Sequence, residues 1–186
     1  MSVWKITVHV PGALVLLCAC LLVAVSIFGA ELPDNLLKNG DFSTQKTGWQ
    51  TDGRVVEVEK PGDNPALPRK TPALKVELNK SKDKEISQKV RAKKNVRVLK
   101  VSFRVKPEEG FLSSSPSSGA IKLRFKRPDG SSTFSDRKVQ PSKGWQEVAW
   151  TFDQIRGAND LEFEVTIKAG EGSLLFDDFV ITPLEG

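Results

Sequence analysis

Apolar and polar residues alternate with a period of two through most of the chain beyond residue 70. Between Arg97 and Lys106, Leu99, Val101, Phe103 and Val105 alternate with Lys100, Ser102, Arg104 and Lys106, the pattern of a strand with one buried face. The same beat recurs in Ile121, Leu123 and Phe125 against Lys122, Arg124 and Lys126, and in Leu161, Phe163, Val165 and Ile167 against Glu162, Glu164, Thr166 and Lys168. Shorter stretches carry it in Leu74, Val76 and Leu78 and in Val148, Trp150 and Phe152. Parity with its neighbours predicts that Trp150 is a core residue. Val55–Val58, Glu85–Val90 and Ser132–Val139 are weaker strand segments. Leu174–Thr182 is apolar on both faces except at Asp177 and Asp178, which predicts a central or covered strand.

Turn residues punctuate these runs at Pro61–Pro65, Pro128-Asp129-Gly130, Pro141–Gly144 and Gly170–Gly172. No segment carries a helical period. About eight to ten short strands at this spacing predict an all-β sandwich or barrel. One domain over residues 31–186 accounts for them, its strands lying between Leu36 and Pro183. The longest irregular stretch, Pro107–Gly119, holds the serine-rich run Ser113–Ser118 and reads as a surface loop.

Residues 1–30 depart from this pattern. Gly12–Ala30 is nineteen residues without a charge, preceded by Lys5 alone, and the first acid is Glu31. This predicts a signal segment, either cleaved on export or retained as an anchor, since about 20 apolar residues span a bilayer. Both outcomes leave Lys5 inside and export the body to the periplasm, the cell surface or the medium. Contact with a membrane is then expected only through an uncleaved segment.

Composition narrows the chemistry of the exported body. The single His and both Cys of the chain, His9, Cys18 and Cys20, lie in the signal segment, and residues 31–186 contain no His, Cys, Tyr or Met. Histidine-dependent acid–base work, Ser-His or Cys-His nucleophiles, thiolate or imidazole metal sites and disulfides are therefore excluded from the body. The adjacent acids Glu108 and Glu109 and the strand acids Glu162 and Glu164 have no apolar setting to raise one of a catalytic pair. An enzyme is not expected. The body carries 27 basic and 23 acidic side chains, a modest excess that, with export, argues against nucleic acid as a partner.

The opening run Asn35-Leu36-Leu37-Lys38-Asn39-Gly40-Asp41-Phe42, followed by Gly48-Trp49, and the closing run Leu174-Leu175-Phe176-Asp177-Asp178-Phe179-Val180-Ile181 resemble the two ends of the galactose-binding-like jelly roll. This is the fold of carbohydrate-binding modules related to families 4, 9 and 22. Ala73–Val76, Ile86–Val90, Val101–Lys106 and Gly144–Val148 follow in the order of that fold. The resemblance implies a jelly-roll β-sandwich and an exported, non-catalytic module binding a polysaccharide. The alternative it leaves open is a structural or protein-interaction domain at the cell envelope, since one fold hosts many functions.

Sugar-binding members of the resembling group offer aromatic rings to the apolar faces of pyranoses. The outward positions of the clearest strands carry none, which moves the expected contacts to the rim. Trp145 beside its turn, Trp49, and Phe111 and Phe134 in loop or hairpin settings are the candidates. The strands carry two basic rows, Lys100, Arg104, Lys106 and Lys122, Arg124, Lys126; Lys122 and Arg124 are candidates for an anionic glycan, against a plainer reading in which they pair with Glu162 and Glu164. The resemblance further implies a structural calcium held by Asp177, with Asp41 and Asp178 as further ligands, a hard cation being suited to oxygen donors. Ser43 stands where the family often has Glu.

Overall fold

The alternating segments do form strands, and apolar side chains from two sheets meet between them. The computed structural model describes residues 35–60, 69–92, 96–113, 120–140, 144–153, 155 and 160–184, all within one unit, Asp34–Gly186. The signal segment, the turns at residues 61–65 and 141–143 and most of the serine-rich loop lie outside the described residues. Twelve strands run in chain order: β1 (Gln50–Thr51), β2 (Arg54–Lys60), β3 (Arg69–Glu77), β4 (Lys84–Arg91), β5 (Val98–Pro107), β6 (Leu112–Ser113), β7 (Ile121–Lys126), β8 (Ser132–Arg137), β9 (Gln146–Phe152), β10 (Asp160–Ile167), β11 (Gly170–Glu171) and β12 (Ser173–Leu184). No helix occurs among the described residues, and so none is long and apolar enough to cross a membrane.

One five-stranded sheet has the order β1-β4-β10-β7-β8 and the other β2-β3-β12-β5-β9, with β6 and β11 forming a small third pair. All pairings are antiparallel. Apart from the consecutive pairs β2-β3 and β7-β8, neighbours in each sheet are not consecutive in the chain, the arrangement of a jelly roll. The inner faces contribute Ile121, Leu123, Phe125, Phe163 and Val165 from the first sheet and Leu99, Val101, Phe103, Val105, Phe176 and Ile181 from the second. The predicted all-β sandwich and the central place of Leu174–Thr182 are what the structure has: β12 lies between β3 and β5.

Trp150 corrects the parity reading. It is 44% exposed, although Val148 and Phe152 on the same strand face are 7% and 2% exposed. β9 is an edge strand of its sheet and β8 an edge strand of the other, and Arg137 of β8 places its guanidinium carbon 3.5 Å from the Trp150 ring centroid. Parity selects a face, but at an edge that face is only partly covered.

A bulge in β12 shapes the middle of the sandwich. Asp177 pairs with Arg104 and Val180 with Ser102, so three steps along β12 match two along β5. The extra residue, with Asp178 at φ 55°, brings both Phe176 and Phe179 to the inner face, where strict alternation would turn one outward. Phe179 then meets Phe103 at 4.7 Å, Trp49 at 5.0 Å, Phe42 at 6.0 Å, Phe176 at 6.1 Å and Phe163 at 6.3 Å between ring centroids.

The opening segment is tied to this bulge. The Asn35 side chain donates to the Phe179 carbonyl at 3.0 Å and accepts from the Ile181 and Leu37 N–H groups at 2.9 and 3.1 Å. The Phe179 N–H donates to the Gly40 carbonyl at 3.0 Å. Asn39 organises the following turns, accepting from Thr44 N–H at 2.9 Å and donating to the Gln45 carbonyl at 2.7 Å, while its own carbonyl accepts from Trp49 Nε1 at 2.9 Å. A Cβ on Gly40 would stand 2.0 Å from the Phe179 carbonyl oxygen. Gly40→Ala is expected to destabilise the fold by about 2 kcal/mol or more through overpacking against backbone. Asn35→Ala should cost about 1–3 kcal/mol through buried groups left unpaired. Urea melts of both variants check this, and unchanged midpoints would refute it.

Candidate functional site

The outward face of the sheet β1-β4-β10-β7-β8 carries polar residues in rows that cross it. Antiparallel register aligns Lys89, Glu162, Lys126 and Ser132 in one row, Gln50, Ser87, Glu164, Arg124 and Phe134 in the next, and Glu85, Thr166, Lys122 and Asp136 in a third. Lys122, Arg124 and Phe134, three of the sequence-predicted candidates, therefore share one face. Lys122 Nζ lies 4.3 Å from the Phe134 ring centroid, and Phe134 is 58% exposed. Arg124 is ion-paired with Glu164, whose carboxylate also accepts from Thr166 Oγ1 at 2.8 Å. Lys126 stands 3.9 Å from Glu162. Burial, then the nearby Glu164 charge, raise the Glu85 carboxyl above its ordinary range.

At one end of this face the opening segment and the hairpin after β7 form walls around a cleft of about 970 Å³. Gln50, Ser87, Lys89 and Glu162 belong to its lining, Leu36 and Lys38 come from the opening segment, and Arg127 and Pro128 from the hairpin. Two hydrogen bonds hold that wall to the sheet: the Lys38 N–H donates to the Gln88 side chain at 2.7 Å, and the Gln88 amide donates to the Lys38 carbonyl at 3.0 Å. The hairpin is set by Asp129, which accepts from the Ser131 N–H and hydroxyl at 2.9 and 2.7 Å, with Gly130 at φ 84°. No aromatic side chain lines the cleft among the described residues. Such a surface offers hydrogen-bonding groups and charge.

The remaining candidates lie elsewhere. Trp49 and Phe111 are 7% and 4% exposed and belong to the core, which corrects their assignment as ligand contacts: Trp49 closes the opening segment over Phe42 and Phe179. Trp145 adjoins β9 of the other sheet. It is half-buried, with Lys60 Nζ and Arg104 Cζ 5.6 and 5.5 Å from its ring centroid.

The acidic candidates are engaged by other groups. Lys60 forms an ion pair with the buried Asp177 and lies 3.0 Å from Asp178, and Arg104 is 3.8 Å from Asp178. Asp41 accepts from the Ser43 N–H and hydroxyl at 3.2 and 2.9 Å. No group of three or more His, Cys, Asp or Glu is placed to hold a metal among the described residues. This donor set does not fit a calcium ion, which takes six to eight oxygens, because an ammonium already lies between the two carboxylates of β12.

The sequence-predicted Lys122, Arg124 and Phe134 share this face but are not among the described lining of the cleft, and sequence reasoning missed Gln50, Ser87, Lys89 and Lys38 as cleft residues. The alternation in β4 marks Ser87 and Lys89 as neighbours on one strand face, but nothing local joins that face to Lys38.

No family model matches the chain, and no curated protein matches it in sequence. Solved structures match it in fold. TmCBM61, in complex with β-1,4-galactotriose, has 20% identity and a TM-score of 0.54 over 81% of this chain and 99% of its own. A family 16 carbohydrate-binding module has 18% identity and a TM-score of 0.53 over 80% of this chain and 99% of its own. The CBM22-1 xylan-binding domain of Paenibacillus barcinonensis Xyn10C has 17% identity and a TM-score of 0.52 over 85% and 99%. The chain thus has the galactose-binding-like jelly roll of carbohydrate-binding modules, as its two terminal motifs imply.

Burial pushes the Asp177 carboxyl up from 3.8 to about 6, against the opposing pull of Lys60 and the Asp178 N–H. Between those values the folded chain keeps a proton that the unfolded chain has released, so this group's contribution to stability falls as pH rises through that window. Asp177→Asn removes the titration. The melting temperature of the native chain minus that of the variant should fall as pH rises from about 4 to about 6.5. A difference that stays flat, or grows with pH, would refute the assignment.

Proposed function

We propose that the chain is an exported, non-catalytic glycan-binding module that takes its ligand in the cleft over β4, β10 and β7. The observation that carries this reading is the cleft itself, a depression of about 970 Å³ with charged and amide side chains in its lining, on the outer face of a jelly roll whose fold is that of carbohydrate-binding modules. Those neighbours include one bound to galactotriose and one described as xylan-binding, which supports a glycan as the class of ligand. Polar groups on a rigid sheet suit such a ligand, because sugar hydroxyls need partners whose positions are fixed beforehand.

The absence of catalysis is supported by the chemistry available. The body lacks His, Cys and Tyr, and two of the carboxylates on this face are held by cations: Glu162 stands near Lys126, and Glu164 is paired with Arg124. A glycosidase needs one carboxyl held protonated and a second about 5–9.5 Å away. Export is supported by the uncharged run Gly12–Ala30.

A structural or protein-binding role at the cell envelope is the second reading, favoured by the lack of an aromatic ring among the described residues of the cleft. Affinity electrophoresis through gels containing neutral or acidic polysaccharides separates the two. At least one polysaccharide should retard the chain, and Gln50→Ala should weaken that retardation by about fivefold, the net worth of one hydrogen bond. Trp145→Ala, on the other sheet, should leave it unchanged. Retardation by none of the polysaccharides would give the fold to the second reading.

A further inference from the structure

We infer that the ligand of the cleft is an anionic glycan, one whose rings carry carboxylate or sulfate groups. This rests on the cleft being the glycan site and names the class of glycan it takes. Among the described residues, five cationic side chains line the cleft, Lys38, Lys89, Arg91, Lys126 and Arg127, against two carboxylates, Asp160 and Glu162. This described lining carries three net positive charges, while the whole of residues 31–186 has an excess of only four. The basic character of the body is concentrated here.

The carboxylates do little to neutralise it. Arg91 and Asp160 approach at 3.4 Å with side chains 91% and 71% exposed, and Lys126 and Glu162 at 3.9 Å. Exposed pairs of this kind are worth at most about 1 kcal/mol, so a ligand carboxylate or sulfate can replace either partner acid. Lys38 and Lys89 make no ion pair among the described residues. On the sheet, Glu162 stands in register between Lys89 and Lys126. Those two cations thus flank the floor of the cleft roughly 10 Å apart, two strand spacings. Arg91 follows Lys89 on the same face of β4, about 7 Å along the strand. The charges are spread over a surface, as a chain with repeated anionic groups requires, and do not converge on a point.

The apolar lining leads to the same class. Leu36, Pro128 and Leu161 are aliphatic, so a neutral pyranose would find no ring to stack on. Charge and hydrogen bonding are the recognition terms that this surface supplies.

The full body is tested by affinity electrophoresis and by titration against five probes: polygalacturonate, dextran sulfate, neutral galactan, neutral xylan, and polyglutamate as an anionic chain without sugar. Polygalacturonate, dextran sulfate or both should bind, and which of them does identifies carboxylate or sulfate as the group read. Binding should fall at least tenfold when salt rises from about 0.05 to about 0.5 M. Lys89→Ala with Lys126→Ala should lower it about tenfold or more, and Lys100→Ala with Lys106→Ala on the other sheet should not. Salt-insensitive binding to galactan or xylan alone would overturn the anionic assignment and leave the glycan module standing. Equal binding to polyglutamate would overturn recognition of a sugar chain. Binding to none of the five would overturn the glycan reading itself.

Discussion

The fold depends on one extra residue in its last strand. Without the bulge between Asp177 and Val180, strict alternation would send Phe176 and Phe179 to opposite faces of the sheet. With it, both enter the core, and Phe179 gathers rings from the opening segment, from β5 and from the opposite sheet. The backbone of the same residue donates to the Gly40 carbonyl and accepts from the Asn35 side chain. Chain start, chain end and both layers of the sandwich therefore meet at one side chain. The opening segment has no strand before β1 among the described residues; this junction and the Lys38–Gln88 hydrogen bonds hold it in place.

The junction has consequences on both outer surfaces. On one, the bulge leaves Asp177 buried, and Lys60 supplies the positive charge that an interior carboxylate needs when ionised. That surface is closed by the cluster of Lys60, Arg104 and Trp145 around the two aspartates. On the other, the anchored opening segment places Lys38 against Gln88 and so raises a wall beside β4. Tethering to β12 of one sheet thereby shapes a cleft on the outer face of the other. The proposed ligand site and the proposed anionic class of its ligand both rest on that wall and on the cations the register aligns beside it.

Most of the strands and the central position of β12 could be read from period-two alternation, because a buried sheet face selects apolar residues locally at every second position. The basic row of Lys122 and Arg124 was legible for the same reason. Exposure was not. Trp150 obeys parity and is still open to solvent, since parity says nothing about whether a strand ends up at an edge. Trp49 and Phe111 sit in segments with no period, and a loop aromatic gives no local sign of whether it turns inward. The two-residue strands β1, β6 and β11 are too short to show any alternation.

The sequence by itself determined the fold class, through alternation and the two terminal motifs, and the chemistry denied to the body, through its missing His, Cys and Tyr. Both are properties of residue type and spacing along the chain. Only the tertiary structure decided which cation each carboxylate meets and which polar rows stand beside a wall. Lys60 reaches Asp177 from 117 positions away in sequence, and Lys38 reaches Gln88 from 50. Contacts at such separations arise from strand order and register, which no local pattern encodes.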